Sequence, residues 1–301
     1  MCLHRHARDP ALPEAAYPGW VNLIRIVSPL DDLTAPVLVG AFDGWIDAAG
    51  AASATADHLA HGGETVATLD PDAIFDYRSR RPVLDVVDGV LSRLDYPQLA
   101  IRRRHVNGRD LLVLHGAEPD FRWKQLADDV MEFALTHGVI EWVSIGAVPA
   151  AVPHTRPVPV FATASADGLL RHGETQGPEG LLRVPAAALS VIEMGVGGAG
   201  IPTTGFYAQI PPYVGGPYAA GTIALVEHIA RHLEIDLPLG SLMDEANAQR
   251  IGLDTAVQSQ DETRDFVTRL EAQQPEDGIP SGDELASEIE RYLRDAGDDP
   301  R

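Results

Sequence analysis

Pro36-Val37-Leu38-Val39-Gly40-Ala41-Phe42-Asp43-Gly44-Trp45-Ile46-Asp47-Ala48-Ala49-Gly50-Ala51-Ala52 is the stretch that decides the fold. Its first four residues are nearly all apolar, the pattern of a strand covered on both faces in a parallel sheet. Phe42 to Asp47 breaks that run with two acids, a glycine and a tryptophan. Residues 48–60 are rich in alanine, so helix propensity is high there. Asp47 is placed to cap that helix, accepting from its first free N–H groups. The stretch therefore reads strand, loop, helix. In an open α/β sheet such a loop lies at the carboxyl end of the strand, where sites usually sit.

Outward from this stretch, residues 20–27 read as an edge strand or a contact segment between copies, and 64–69 as a second strand. Residues 70–81 read as a long loop, and residues 83–94 are left open between loop and short helix. Residues 99–105 and 110–115 are β-like runs on either side of Asn107-Gly108, a strong hairpin signal. Leu126, Val130, Phe133 and Ala134 line one face of a helix over 121–137. Strands follow at 139–147, 160–164 and 206–210, with helices at 183–195 and 217–233. Three more helices are read at 241–260, 262–273 and 282–295. Alternating strands and helices followed by helices alone predict a three-layer α/β/α sandwich with a C-terminal helical extension. The divisions expected are a disordered lead (1–18), a core domain (19–240), a helical extension (241–296) and a disordered tail (297–301).

The chain has 301 residues and a net charge of −21. That charge repels nucleic acid and anionic membranes alike. Residues 254–301 carry 14 acids against 5 bases, an acidic helical face. A single cysteine, Cys2, excludes an intrachain disulfide and fits a reducing, cytoplasmic setting. No apolar run approaches the ~20 residues of a membrane helix, and the lead lacks the apolar core of a signal peptide.

Several constellations are candidates for chemistry. Gly195-Val196-Gly197-Gly198-Ala199-Gly200 matches G-x-G-x-x-G, but a helix precedes it, so it reads as a helix end and turn. His228 and His232 have a zinc-compatible spacing without the metalloprotease glutamate, and read as surface histidines. Ser144 lies inside a strand and not on a nucleophile elbow. Asp43, Asp47, Glu118, Asp120, Arg122, His154 and Arg156 all fall in or beside strand-end loops, where carboxylates with an arginine and a histidine could do acid–base work. The competing reading is loop-fixing ion pairs and caps. No metal set and no phosphate-binding loop is found, so no cofactor is expected.

Four motifs occur in order: Phe42-Asp43-Gly44-Trp45-Ile46-Asp47-Ala48-Ala49, Glu118-Pro119-Asp120-Phe121-Arg122-Trp123, His154-Thr155-Arg156-Pro157, and Gly200-Ile201-Pro202-Thr203-Thr204-Gly205-Phe206-Tyr207-Ala208. Together they resemble the proteasome assembly chaperone type 2 family in its actinobacterial branch, over roughly residues 20–295. The resemblance implies a phosphorylase/hydrolase-like fold with a mixed sheet, homo-oligomers, trimers among them, and proteasome α subunits as partners. Several relatives anchor through a C-terminal hydrophobic–Tyr–any tripeptide, whereas this chain ends Asp299-Pro300-Arg301. Relatives usually carry Val-Pro-His-Tyr where this chain has Ile210-Pro211-Pro212-Tyr213, so Pro212 replaces a candidate acid–base histidine. The favoured expectation is a non-enzymatic oligomer presenting Asp43, Trp45, Trp123 and Arg156 to a partner. Its signature residues are Phe42, Gly44, Trp45, Asp120, Trp123, Pro157, Gly200 and Pro202. The alternative is a hydrolase or phosphorylase-like enzyme with a strand-end pocket lined by Asp43, Asp47, Glu118, Arg122, His154 and Arg156.

Overall fold

The computed structural model describes residues 22–178 and 180–273, together with Ala286, Ser287 and Glu290. The expected lead, tail and most of the helix over 282–295 lie outside the described residues. Eight strands form one mixed sheet: β1 (Ile24–Ile26), β3 (Glu64–Leu69), β6 (Leu99–Val106), β7 (Arg109–Ala117), β2 (Val37–Asp43), β8 (Glu141–Pro149), β10 (Thr203–Ile210) and β9 (Val160–Ala164), in that spatial order. The central strands β7, β2, β8 and β10 run parallel. The flanking pairs β1–β3, β3–β6, β6–β7 and β10–β9 are antiparallel.

The apolar run at residues 37–39 is fully buried because both sheet faces are covered. Alternation along β2 divides the core. Val37, Val39 and Ala41 face α1 (Ala51–Ala60) and α5 (Ala219–Leu233). Leu38 and Phe42 face α3 (Trp123–Thr136) and α4 (Ala188–Gly198). This is the α/β/α sandwich expected. The helical extension is also present: α6 (Leu242–Ser259) packs on α5, and α7 (Asp261–Gln273) packs on α6. Among the described residues no helix is long and apolar enough to cross a membrane.

Three local expectations are corrected. The helix expected over 183–195 begins only at Ala188. Pro185 leaves the residues before it extended, and a Glu118 carboxylate oxygen accepts from the Ala188 N–H at 2.8 Å. The glycine run does end this helix, with Gly200 at φ +89°. Residues 70–81, expected as a loop, include the short helix α2 (Pro71–Ile74), capped by Asp70. Residues 83–94 are neither loop nor helix but a hairpin, β4 (Val83–Val87) and β5 (Val90–Asp95), which forms a separate two-stranded sheet.

That hairpin has an unusual surface. Leu84 pairs with Leu94 and Val86 with Leu91, while Ser92 bulges out between them. The bulge returns Leu91 and Leu94 to the same side. Leu84, Val86, Leu91 and Leu94 thus share one face, and all four are 47–71% exposed.

Candidate functional site

The carboxyl ends of the parallel strands carry two cavities. The first, of about 510 Å³, lies between the sheet, residues 44–46 and the extended segment before α4. Trp45, Ile46, Val148, Phe161, Leu182 and Val184 supply apolar wall. Trp45 Nε1 donates to the Pro185 carbonyl at 3.1 Å and so ties the overlying segment down.

The cavity exists because small residues clear the sheet surface. Tyr207 on β10 pairs with Gly146 on β8, and Gly205 pairs with Ser144. A Cβ at Gly146 would stand 2.5 Å from the Tyr207 ring, and one at Gly205 would stand 2.7 Å from Thr163 Oγ1. The Tyr207 ring therefore lies close to the sheet and stacks on Phe161 at 5.2 Å, with 17° between the planes. Beside it is a polar cluster. Trp142 Nε1 donates to Ser144 Oγ at 2.7 Å, and Ser144 Oγ donates to Glu193 Oε2 at 2.7 Å. Burial pushes the Glu193 carboxyl above the usual carboxylate range, against the opposing pull of the Ser144, Tyr207 and Thr163 hydroxyls. Burial and the nearby Glu193 raise the Tyr207 phenol as well.

The second cavity, of about 500 Å³, lies at the ends of β2 and β7 and is lined by Asp43, Asp57, Arg80, Arg81, Asp95 and His115, among others. Arg80 Nη1 bridges both Asp43 carboxylate oxygens at 2.8 and 2.9 Å.

The six residues expected to line the pocket of a hydrolase or phosphorylase-like enzyme do not share a cavity. Glu118 lines the first and Asp43 the second. The two are linked by the Glu118 N–H donating to Asp43 Oδ1 at 3.1 Å. Asp47 accepts from the N–H groups of Ala52 at 2.7 Å and Ser53 at 3.1 Å, the expected cap, although α1 proper starts at Ala51 after a short 3-10 turn. Burial raises its pKa. Arg122 sits exposed at the head of α3 in a left-handed conformation, φ +61°. His154 and Arg156 clasp the helical extension instead. His154 Nε2 meets Asp254 on α6 at 3.1 Å, and Arg156 Nη2 donates to the Glu271 carbonyl on α7 at 2.8 Å.

The remaining signature residues have structural contacts. Phe42 is buried in the core. Gly44 adopts φ +121° against Glu118, as its turn requires. Asp120 accepts from the Asp76 N–H, Trp123 Nε1 donates to the Pro119 carbonyl, and the Pro202 carbonyl accepts from the Trp142 N–H. Pro157 and Gly200 are exposed.

His232 departs from the surface reading. It is 1% exposed, with Nδ1 2.7 Å from Glu174 and Nε2 2.6 Å from Glu141. Burial disfavours its charge, but the two carboxylates outweigh that and raise its pKa. Among the described residues no group of three or more His, Cys, Asp and Glu side chains is arranged to hold a metal ion.

Sequence reading missed Tyr207, Thr163 and Glu193 as a cluster. Two signals pointed to it: glycines inside adjacent central strands, which mark close approach, and one acid in the otherwise apolar α4.

The chain is similar to solved structures of actinobacterial proteins. A Mycobacterium tuberculosis protein of unknown function, Rv2714, is 31% identical, with a TM-score of 0.78 over 85% of this chain and 90% of that one. A PAC2 family protein from Streptomyces avermitilis is 32% identical, with a TM-score of 0.70 over 77% and 99%. The Mycobacterium tuberculosis proteasome-assembly chaperone homologue Rv2125 is 33% identical, again with a TM-score of 0.70 over 77% and 99%. No curated protein matches the chain. The PAC2 family model matches residues 41–257, well over half the length, and the chain belongs to the PAC2 family.

Proposed function

We propose that this chain is a non-enzymatic, homo-oligomeric protein of the proteasome-assembly type, which binds proteasome α subunits or their precursors in the cytoplasm. The observation that carries the reading is the β4–β5 hairpin. Leu84, Val86, Leu91 and Leu94 form an exposed apolar face on an element that pairs only with itself. A two-stranded hairpin is marginal alone, and an exposed apolar patch marks a protein-contact site. The name of the 33%-identical relative, a proteasome-assembly chaperone homologue, supports the class of partner. The separation of the six residues expected to line an enzyme pocket favours this reading over a hydrolase or phosphorylase-like enzyme.

Contact with the proteasome subunit is made through the apolar face of this hairpin. The core, 19–240, carries that contact, and the extension is held to it through His154 and Arg156. The test is capture of purified proteasome α subunits by the tagged full chain, with sedimentation of the chain alone. Capture, and a trimeric mass, are expected. Joint replacement Leu84→Ser and Leu91→Ser should lower capture at least tenfold. Absence of capture by the unaltered chain, or capture indifferent to the hairpin variant, overturns the proposal.

A further inference from the structure

The first cavity is unexplained by a protein-contact role. Its volume of about 510 Å³ falls in the ~300–1,000 Å³ range of small-molecule pockets. It lies at the carboxyl end of β8 and over Tyr207 of the neighbouring β10, near the edge of an α/β sheet where ligands bind. Its wall is largely apolar and aromatic, with Trp45 and the Phe161–Tyr207 stack providing ring faces.

The polar groups select what can enter. Among the described residues no Lys, Arg or His side chain lines this cavity, so an anion meets no counter-charge there. Among the described residues Glu118 is the one carboxylate in the lining, and both its oxygens are engaged by N–H groups: Oε1 by Ala188 at 2.8 Å and Oε2 by Trp45 at 3.4 Å. Glu193 is driven toward its neutral form by burial. What remains are hydroxyl groups. Tyr207 Oη reaches Glu193 only at 3.5 Å, a weak bond that a better acceptor can replace. Thr163 Oγ1 is buried beside Tyr207 and Glu193 and acts on the pKa of both, but among the described residues it makes no hydrogen bond of good geometry. A buried hydroxyl held this loosely is free to turn to a better acceptor.

We infer that this cavity binds an uncharged, ring-containing small molecule, whose ring packs against Phe161 and Trp45 and whose carbonyl-type oxygen accepts from the hydroxyls of Tyr207 and Thr163. The inference stands independently of the proteasome-assembly reading, because its test uses the isolated chain.

The probe is prodan, an uncharged naphthyl ketone whose emission shifts to the blue in apolar surroundings, titrated into the purified full chain. Saturable, blue-shifted emission at one site per chain is expected. Tyr207→Phe preserves the ring and removes the hydroxyl, and should weaken binding about tenfold. Ser190→Phe, which fills the cavity from α4, should abolish it. The Leu84→Ser, Leu91→Ser hairpin variant should bind as the unaltered chain does, and the naphthoate anion should bind far more weakly than prodan. The inference is overturned by non-saturable emission, by a signal lost in the hairpin variant, by naphthoate binding as well as prodan, or by Tyr207→Phe binding unchanged. The Tyr207→Phe arm decides the question even if Ser190→Phe fails to fold.

Discussion

The chain contains two hairpins built on the same turn chemistry, and they meet opposite fates. Asp88-Gly89 joins β4 to β5 with φ +52° and +79°, and Asn107-Gly108 joins β6 to β7 with φ +47° and +77°. Positive φ at both central residues is the turn that matches strand twist. The β6–β7 hairpin inserts into the sheet beside β2 and β3, where Leu111, Leu112, Val113 and Leu114 are completely buried. The β4–β5 hairpin pairs only with itself and keeps its valines and leucines in solvent. Local chemistry is thus enough to form a hairpin, but not to say what covers it. In one case the rest of the chain does so. In the other, the apolar face is available to another molecule.

The largest loss of stability is expected from a backbone change in the buried hairpin. Gly116 on β7 has φ +135°, and a Cβ there would stand 2.1 Å from the Gln98 carbonyl oxygen. Gly116→Ala must therefore displace β6 or distort β7. It is expected to cost roughly 3 kcal/mol or more, read from the urea midpoint of unfolding. Gly89, at the turn of the exposed hairpin, has nothing within 4 Å of the same added atom. Gly89→Ala should cost about 1 kcal/mol of local conformational strain. Equal losses from the two changes would mean that the exposed hairpin is as much part of the folding unit as the buried one.

These hairpins also mark how far the sequence could be read. Asn107-Gly108 was legible because a β-like run, 99–105 and 110–115, stands on either side of it. Asp88-Gly89 carries an equivalent signal, but the Ser92 bulge breaks the alternation of β5, and exposed valines resemble neither a buried strand nor a polar loop. The strand–loop–helix order at residues 36–60 and the capping Asp47 were legible because both are local. The clasp of His154 on Asp254, 100 residues away, was not. Nor was the burial of His232, since its partners Glu141 and Glu174 come from β8 and a distant loop. The cavity was signalled only by glycines whose meaning depends on which strands are neighbours.

An intermediate effect is expected from charge. In the buried hairpin Asp110 is 0% exposed and takes two hydrogen bonds from Arg103, at 2.9 and 3.2 Å, and one from the Thr34 N–H at 2.7 Å. Burial alone would raise its pKa, but the bonds from Arg103, Thr34 and His105 outweigh that and hold it below the ordinary value. A carboxylate depressed in the folded state contributes stability that is present above its unfolded pKa of about 3.9 and is lost as pH falls through the folded value. Asp110→Asn should cost about 2 kcal/mol at neutral pH and flatten the acid limb of the stability profile. In the exposed hairpin Arg93 and Asp95 form a pair with 69% and 44% of their side chains accessible. Asp95→Asn should not move the midpoint measurably. A loss comparable to that of Asp110→Asn would show that the exposed hairpin is electrostatically tied to the core.

The smallest effect on stability should come from the most hydrophobic change. Leu91 is 71% exposed and Leu84 49%, so each already meets water in the single chain. Replacing them by serine removes little buried apolar area, and surface substitutions away from packed features stay within about 0.5 kcal/mol. The unfolding midpoint of the dilute single chain should therefore hardly move. The concentration dependence of that midpoint is the informative quantity. If the leucines are covered by another copy, the unaltered chain gains stability with concentration through mass action, and the Leu84→Ser, Leu91→Ser chain does not. A midpoint that falls substantially at every concentration would instead place the leucines in the chain's own core, and the contrast between the two hairpins would fail. A midpoint independent of concentration in both chains would leave the face to a different protein, with the proteasome α subunit the first to be tried.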